Sequence, residues 1–102
     1  MRKLIVILSI AAAVNCGDGL NGPSTVGEAT EEVVEAFCDK AVECNYPDRE
    51  ACVARNMASV CSTVDCSADF DKHGLLDTCL DGISEMTCHS ATPAECFEAL
   101  GL

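Results

Sequence analysis

The segment TEEVVEAFCDKAVECNYPDREACVARNMASVC, residues 30–61, decides the fold class of this chain. Apolar residues recur at helical spacing on both sides of NYPD, residues 45–48, whose composition is typical of a turn. Four of the nine cysteines of the chain lie in this segment. We therefore predict two helices that are joined by a tight turn and fixed to other parts of the domain by disulfide bonds.

The first predicted helix covers residues 30–44. Thr30 is placed to cap its amino end, and Glu31 and Glu32 suit the positive end of the helix dipole. The buried stripe of this helix comprises Val34, Phe37, Cys38 and Ala41. Another face is acidic and comprises Glu28, Glu32, Glu35 and Asp39. The simplest interpretation of this face is a solvated surface, and the alternative is a docking surface for a basic partner.

The second predicted helix covers residues 48–60, and residues 62–69 are polar and turn-like. The stripe of the second helix comprises Val53, Met57 and Val60. A third helix is predicted over 70–86 and is expected to end before Cys88. Its stripe comprises Leu75, Leu76, Cys79, Leu80, Ile83 and Met86.

The fourth predicted helix covers residues 92–100. Thr92 is the expected N-cap, Pro93 the first helical residue, and Glu95 the partner in a capping box, with Gly101 as the stop. No segment alternates apolar and polar residues with a period of two, so strands are not predicted. The predicted fold class is all-α, a small disulfide-rich domain of about four short helices.

The first fifteen residues are organised like a signal peptide. Arg2 and Lys3 precede the apolar run LIVILSIAAAV, which is shorter than the roughly 20 residues that a membrane-spanning helix needs. The predicted organisation is therefore a signal peptide over 1–15, a flexible Gly-rich tether over 16–28, and a helical domain over 29–102. Loss of the leader leaves 4 basic and 17 acidic residues, a formal charge of 4 − 17 = −13. Such a chain repels nucleic acid, so no nucleic-acid partner is expected.

The cysteine content, nine of 102 residues, is that of a disulfide scaffold in an oxidising compartment. No CxxC pattern occurs, which argues against a thioredoxin-like redox motif and a structural zinc site. Cys38 and Cys44 would lie about 9 Å apart along one helix, too far for a mutual bond. Cys52 and Cys61 would face opposite sides of one helix, so they join different elements unless that helix ends earlier.

Eight cysteines in the helical domain are predicted to form four disulfides: Cys38, Cys44, Cys52, Cys61, Cys66, Cys79, Cys88 and Cys96. A natural pair is Cys44 with Cys52, because these residues flank the predicted turn. The other pairings stay open, since eight cysteines allow 105 connectivities. Cys16 is the ninth cysteine, and it lies directly after the apolar run and outside the helical domain.

The sequence around Cys16 resembles the lipobox of bacterial lipoproteins. In such a signal a cysteine follows Leu, a small or aliphatic residue, and Gly, Ala or Ser. Here Val14 and Cys16 match, Ala13 replaces Leu, and Asn15 departs from the pattern. The resemblance implies that Cys16 becomes the acylated first residue of the mature chain and anchors it in a lipid bilayer. Gly17 at the second mature position favours sorting to the outer membrane.

The segment CLDGISEMTCHSATPAECFEAL, residues 79–100, resembles the small cysteine-rich lipoproteins of deltaproteobacteria. The resemblance implies a location in the cell envelope and a helical architecture, but no activity. An alternative is cleavage by signal peptidase after Ala13, at the site Ala11-Ala12-Ala13, which would leave Cys16 as a free thiol or in an intermolecular disulfide.

The stretch DFDKHGLLD, residues 69–77, partly fits a calcium-binding loop. Asp69, Asp71 and Asp77 stand at ligand positions, but Leu80 occupies the place of the bidentate Glu. The simpler interpretation is an acidic start of a helix. No nucleophile, phosphate-binding or zinc-protease motif occurs, and neither His73 nor His89 belongs to one, so we expect no enzymatic activity and no cofactor.

Three functions are compatible with the sequence. The first is an envelope lipoprotein whose helical domain contacts an unknown protein or envelope component. The second is a soluble secreted interaction protein, with Cys16 free or forming a dimer. The third is a carrier of a small apolar ligand, with a fold that has a hollow core as plant lipid-transfer proteins do, although their adjacent Cys-Cys and Cys-x-Cys patterns do not occur here.

Overall fold

The computed structural model describes residues 22–102. This part of the chain has four helices: α1, Val26–Glu43; α2, Arg49–Thr63; α3, His73–Ser84; and α4, Ala94–Leu100. Within residues 22–102 there is no strand, and the β-type pairing is limited to one antiparallel bridge between Thr25 and Asp69. Four disulfides join the elements. The predicted small, disulfide-rich all-α fold is confirmed.

Helix α1 begins at Val26, four residues before the predicted cap Thr30. The cap is Thr25, whose hydroxyl accepts a hydrogen bond from the backbone N–H of Glu28 at 3.1 Å. Thr30 instead lies inside the helix, where its buried hydroxyl donates to the carbonyl of Val26 at 2.7 Å. Threonine is a good cap at either position, so only the surrounding chain decides between the two.

The surrounding chain is the loop 66–70, which pairs with the residues before α1. The N–H groups of Val26 and Gly27 donate to the carbonyls of Ala68 and Cys66, at 2.9 and 2.7 Å. These bonds give partners to two of the N–H groups that the start of a helix leaves unsatisfied. They place the helix start at Val26 because loop 66–70 supplies its acceptors there.

Part of the predicted tether therefore belongs to the folded domain. Pro23 is buried, and the carbonyl of Ser24 accepts a hydrogen bond from the N–H of Phe70 at 3.0 Å. The prediction that residues 22–28 are tether is wrong, because glycine in this segment serves a close approach to loop 66–70 rather than mobility. A Cβ on Gly27 would lie 2.9 Å from the carbonyl oxygen of Cys66. The predicted signal peptide and the predicted tether residues 16–21 lie outside the described residues.

Helix α2 begins at Arg49, one residue after the predicted start, and ends at Thr63, three residues after the predicted end. Its cap is Asp48, whose carboxylate accepts from the N–H of Ala51 at 3.0 Å. Both Cys52 and Cys61 lie inside the helix and bond to different elements. Of the two arrangements left open for these cysteines, the structure has the one in which they join different elements.

Helix α3 begins at His73, three residues later than predicted. The N–H of Phe70 is directed to Ser24 and the backbone of Asp69 pairs with Thr25, so these residues are extended rather than helical. Phe70 is nevertheless buried. The helix ends at Ser84, before Cys88, as predicted. Its predicted stripe faces the interior, with Leu76, Cys79 and Ile83 buried.

Helix α4 begins one residue after Pro93, and the predicted capping box around Thr92 does not form. Pro93 is the N-cap itself, and its hydrocarbon ring has no atom that could accept a hydrogen bond; the ring instead packs close to Gly82 of α3. The predicted stop at Gly101 is confirmed. Gly101 has a φ of 80°, and the N–H groups of Gly101 and Leu102 close a Schellman motif on the carbonyls of Glu98 and Phe97.

Helix α1 is the centre of the domain, with a separate core on each of two sides. The larger core lies between α1, α3 and α4, and its buried residues are Ala29, Val33, Phe70, Leu76, Cys79, Ile83, Cys96 and Leu100. The smaller core lies between α1 and α2, where Val34, Cys38 and Cys52 are buried. Among the described helices, α2 and α4 do not contact each other. This separation leaves an open groove between them above α1.

Candidate functional site

The eight cysteines of residues 22–102 pair among themselves. The bonds are Cys38–Cys52, Cys44–Cys88, Cys61–Cys66 and Cys79–Cys96. Their Cα atoms lie 4.7 to 5.9 Å apart, within the normal range for disulfides. Cys38 and Cys44 do not bond each other, as helix geometry predicts.

The predicted pair Cys44–Cys52 is wrong. Cys52 lies in the first turn of α2 and faces α1, where it meets Cys38, about one and a half turns before the end of α1. Cys44 follows the last residue of α1 and bonds to Cys88 in the connection between α3 and α4. Proximity along the chain suggested Cys44 and Cys52, but the antiparallel packing of α1 and α2 brings the inward-facing residue of each helix together.

The four disulfides differ in burial. Cys38 and Cys79 are completely buried, and their partners Cys52 and Cys96 are 3% and 2% exposed. The other two bonds lie at the surface, since Cys61 and Cys88 are exposed and Cys44 and Cys66 are half-buried. The two buried bonds join α1 to α2 and α3 to α4, so each helix pair has one internal cross-link.

The three aspartates that partly fit a calcium loop do not form a common site. Asp69 lies in the extended segment that pairs with Thr25, Asp71 lies before α3, and Asp77 lies within α3. All three side chains are exposed. Between residues 22 and 102, no group of three or more His, Cys, Asp or Glu side chains is arranged to hold a metal ion.

The acidic face of α1 contains carboxylates with different environments. Partial burial, and next the nearby charge of Asp77 on α3, raises the pKa of Glu32. Partial burial, and next the charge of Glu31, raises the pKa of Glu35. Hydrogen bonds from the backbone and hydroxyl of Ser24 lower the pKa of Glu28.

Asp39, the last member of this face, is already paired. Its carboxylate accepts a hydrogen bond from the guanidinium of Arg49 on α2, and this bond is the main cause of a raised pKa of Arg49. A basic partner would therefore compete with Arg49 at this end of the face. The arrangement is that of a solvated face with one exposed ion pair, which contributes little to stability.

The groove between α2 and α4 is lined mostly by apolar side chains. Its floor is formed by Val33, Val34 and Phe37 of α1, and its volume is about 120 Å³. The other lining residues are Asn56, Val60, Ile83, Thr92, Cys96, Phe97, Leu100 and Leu102. Phe97 and Leu102 are 46% and 47% exposed, so both present apolar surface to solvent in this groove.

The position of Phe97 and Leu102 follows from the end of α4. The Schellman motif brings the residue after Gly101 back over the last turn of the helix, where it can contact Phe97. Phe97 lies one residue outside the buried stripe of Cys96 and Leu100. The sequence prediction did not identify this groove, although the helical register of Phe97 already places it beside the stripe rather than in it.

No protein-family model, curated protein or solved structure matches this chain significantly. In the part of the chain that the structure describes, no helix combines the length and the apolar character that a membrane span requires.

Proposed function

We propose that this protein is an exported lipoprotein of the cell envelope, in which acylated Cys16 anchors a non-catalytic helical domain to the outer membrane. The observation that supports the proposal most directly is the pairing of the cysteines. The eight cysteines between residues 38 and 96 use one another as partners. Cys16 is the cysteine that this set of bonds does not require, and it follows directly after the apolar run of the signal.

Two further features support export. Four disulfides in so small a domain are typical of proteins that fold in an oxidising compartment. The domain has two small cores instead of one large core, so it depends on cross-links for stability. Such a domain would be unstable in a compartment that keeps thiols reduced.

The proposal is tested by expressing the full chain in a Gram-negative bacterium and extracting the membranes with detergent. We expect the protein in the membrane fraction, with an intact mass that corresponds to a chain starting at acylated Cys16. A Cys16→Ala variant should lose the added mass and leave the membrane fraction. A mature chain that starts at Val14 and has no acyl mass would refute the proposal.

Non-reducing gels of the same two proteins test the secreted alternative. If Cys16 links two chains, the unaltered protein runs as a dimer and the Cys16→Ala variant as a monomer. Under our proposal both run as monomers, because the thiol of Cys16 is used by the lipid.

The size of the groove bears on the alternative of an apolar-ligand carrier. Its volume of about 120 Å³ is well below the roughly 300–1,000 Å³ of pockets that enclose small-molecule ligands. It is closer to the roughly 150 Å³ of a cavity that holds one benzene ring. We therefore expect no saturable binding when a fluorescent long-chain fatty acid is titrated into the protein. Saturable binding that is lost in a Val60→Trp variant, which fills the groove, would favour the carrier instead.

A further inference from the structure

The connection between α3 and α4 contains a segment that is attached to the rest of the domain in an unusual way. Residues 87–91 are all exposed. Their hydrogen bonds are local. The N–H of Thr87 donates to the Ser90 hydroxyl, and the N–H of Ser90 donates to the Thr87 carbonyl. The N–H of His89 donates to the Thr87 hydroxyl. Among the described residues, no hydrogen bond joins this segment to another part of the chain.

The attachment of this segment to α1 is the disulfide between Cys88 and Cys44. This bond spans 44 residues of sequence, the longest separation of the four. Cys88 is exposed and Cys44 is half-buried, so this disulfide lies at the surface of the domain and is open to a reductant without separation of the helices. Thiol–disulfide exchange requires such access, and accessible disulfides are the labile ones in folded proteins.

Each of the other three disulfides either is buried or joins a segment that has other attachments to the domain. Cys38–Cys52 and Cys79–Cys96 are buried, so exchange at their sulfurs requires the helices to separate. Cys61–Cys66 is accessible, but its segment has other attachments, since the carbonyls of Cys66 and Ala68 accept hydrogen bonds from the start of α1. Opening Cys61–Cys66 would leave loop 66–70 in place.

We propose that Cys44–Cys88 is a site of thiol–disulfide exchange that works as a redox latch, and that its reduction by a dithiol releases segment 87–91 while the helical domain stays folded. The inference does not depend on the lipid anchor. It rests on the accessibility of this disulfide together with the lack of any other polar attachment of the segment among the described residues.

The exchange balances as a two-electron step. A thiolate of the dithiol attacks the sulfur of Cys88, the bond between the two cysteines breaks, and Cys44 leaves as a thiolate that takes up a proton. The second thiol of the reductant then attacks the mixed disulfide, which releases Cys88 as a thiol and closes the reductant into its own disulfide. Two electrons and two protons pass from the dithiol to the protein.

Partial reduction under native conditions tests the latch. The purified full chain is incubated with dithiothreitol without denaturant, quenched with an alkylating agent at intervals, and mapped by mass spectrometry. We expect label on Cys44 and Cys88 to appear at least about tenfold faster than label on Cys38, Cys52, Cys79 and Cys96. Loss of all four disulfides at one rate, or earlier opening of a buried bond, would overturn the proposal.

A second measurement separates a latch from a merely accessible bond. In the Cys61→Ala/Cys66→Ala variant the first reduced species should be labelled only at Cys44 and Cys88. In that species, NMR order parameters of residues 87–91 should fall below about 0.6, the range of a flexible backbone, while those of the four helices stay unchanged. If the variant does not fold, the measurement is made on the native chain at the stage where Cys44 and Cys88 are labelled and the four buried cysteines are not. Unchanged order parameters in 87–91 would contradict the release.

Discussion

Single carboxylates on α1 show how the same residue type stabilises or destabilises the domain according to its neighbours. Partial burial, and next the charge of Asp77, raises the pKa of Glu32 above its unfolded value. The folded state therefore loses stability as the pH rises from the unfolded pKa through the folded one. Hydrogen bonds from Ser24 lower the pKa of Glu28, and this stability is present above the unfolded pKa and lost in acid.

We therefore expect Glu32→Gln to stabilise the protein at pH 7. Its side chain is partly exposed and screened by solvent, so the gain is about 0.5 kcal/mol at most. The gain should disappear at pH 3, where the carboxyl is protonated in both states. Urea unfolding followed by circular dichroism at the two pH values measures the effect.

The matched control is Glu28→Gln on the same helix. This variant should be less stable than the unaltered protein at pH 7, because the amide accepts the Ser24 hydrogen bonds without a charge. The difference should shrink in acid. Equal effects of the two substitutions on stability at pH 7 would contradict the opposite pKa shifts of Glu32 and Glu28.

At the scale of the helix, two glycines of α3 have opposite roles. A Cβ on Gly82 would lie 2.8 Å from the ring Cγ of Pro93, so glycine allows the start of α4 to pack closely on α3. A Cβ on Gly74 would meet no atom within 4 Å. Both glycines lower the helix propensity of the segment, but only at position 82 does close packing require a residue without a Cβ.

The two alanine variants should therefore change stability in opposite directions. Gly82→Ala should destabilise the domain by about 1 kcal/mol, because the cost of overpacking against a rigid ring exceeds the gain in propensity. Gly74→Ala should stabilise it, by up to about 1 kcal/mol. For a domain of this size, 1 kcal/mol shifts the Tm by about 4–8 °C, which thermal unfolding resolves. A rise in Tm for Gly82→Ala would contradict the described contact with Pro93.

The start or end of a helix was predictable from the sequence where the residues that determine it lie in or next to that helix. Gly101 ends α4 as predicted, and the start of α2 lies within one residue of its predicted position, because a Schellman stop and an Asp48 cap are local structures. The starts of α1 and α3 were misplaced because both depend on the pairing of the chain around Ser24 and Thr25 with loop 66–70. That pairing joins residues about 40 positions apart, and no periodicity within either segment indicates it.

The same distinction applies to the site residues across the whole molecule. Spacing along one helix correctly excluded a bond between Cys38 and Cys44, whereas the partner of Cys44 depends on how the α3–α4 connection folds back over the end of α1. The groove was missed for a similar reason. It exists because α2 and α4 both pack on α1 without contacting each other among the described residues, which is a property of the assembled helices.

The division of the nine cysteines into one and eight is the central feature of the whole molecule. The eight cysteines of the helical domain cross-link its two small cores and its loops. In our proposal the ninth, Cys16, has a different chemistry and links the domain to a membrane. Lipid anchoring and domain folding would then depend on separate sulfur atoms, and loss of one should leave the other intact.

The most direct test of this division is a peptide map of the non-reduced protein extracted from membranes, read by mass spectrometry. We expect four linked peptide pairs, which join Cys38 to Cys52, Cys44 to Cys88, Cys61 to Cys66, and Cys79 to Cys96. We also expect Cys16 only in an acylated peptide at the amino terminus. A disulfide-linked peptide that contains Cys16 would contradict the division of the cysteines into one and eight.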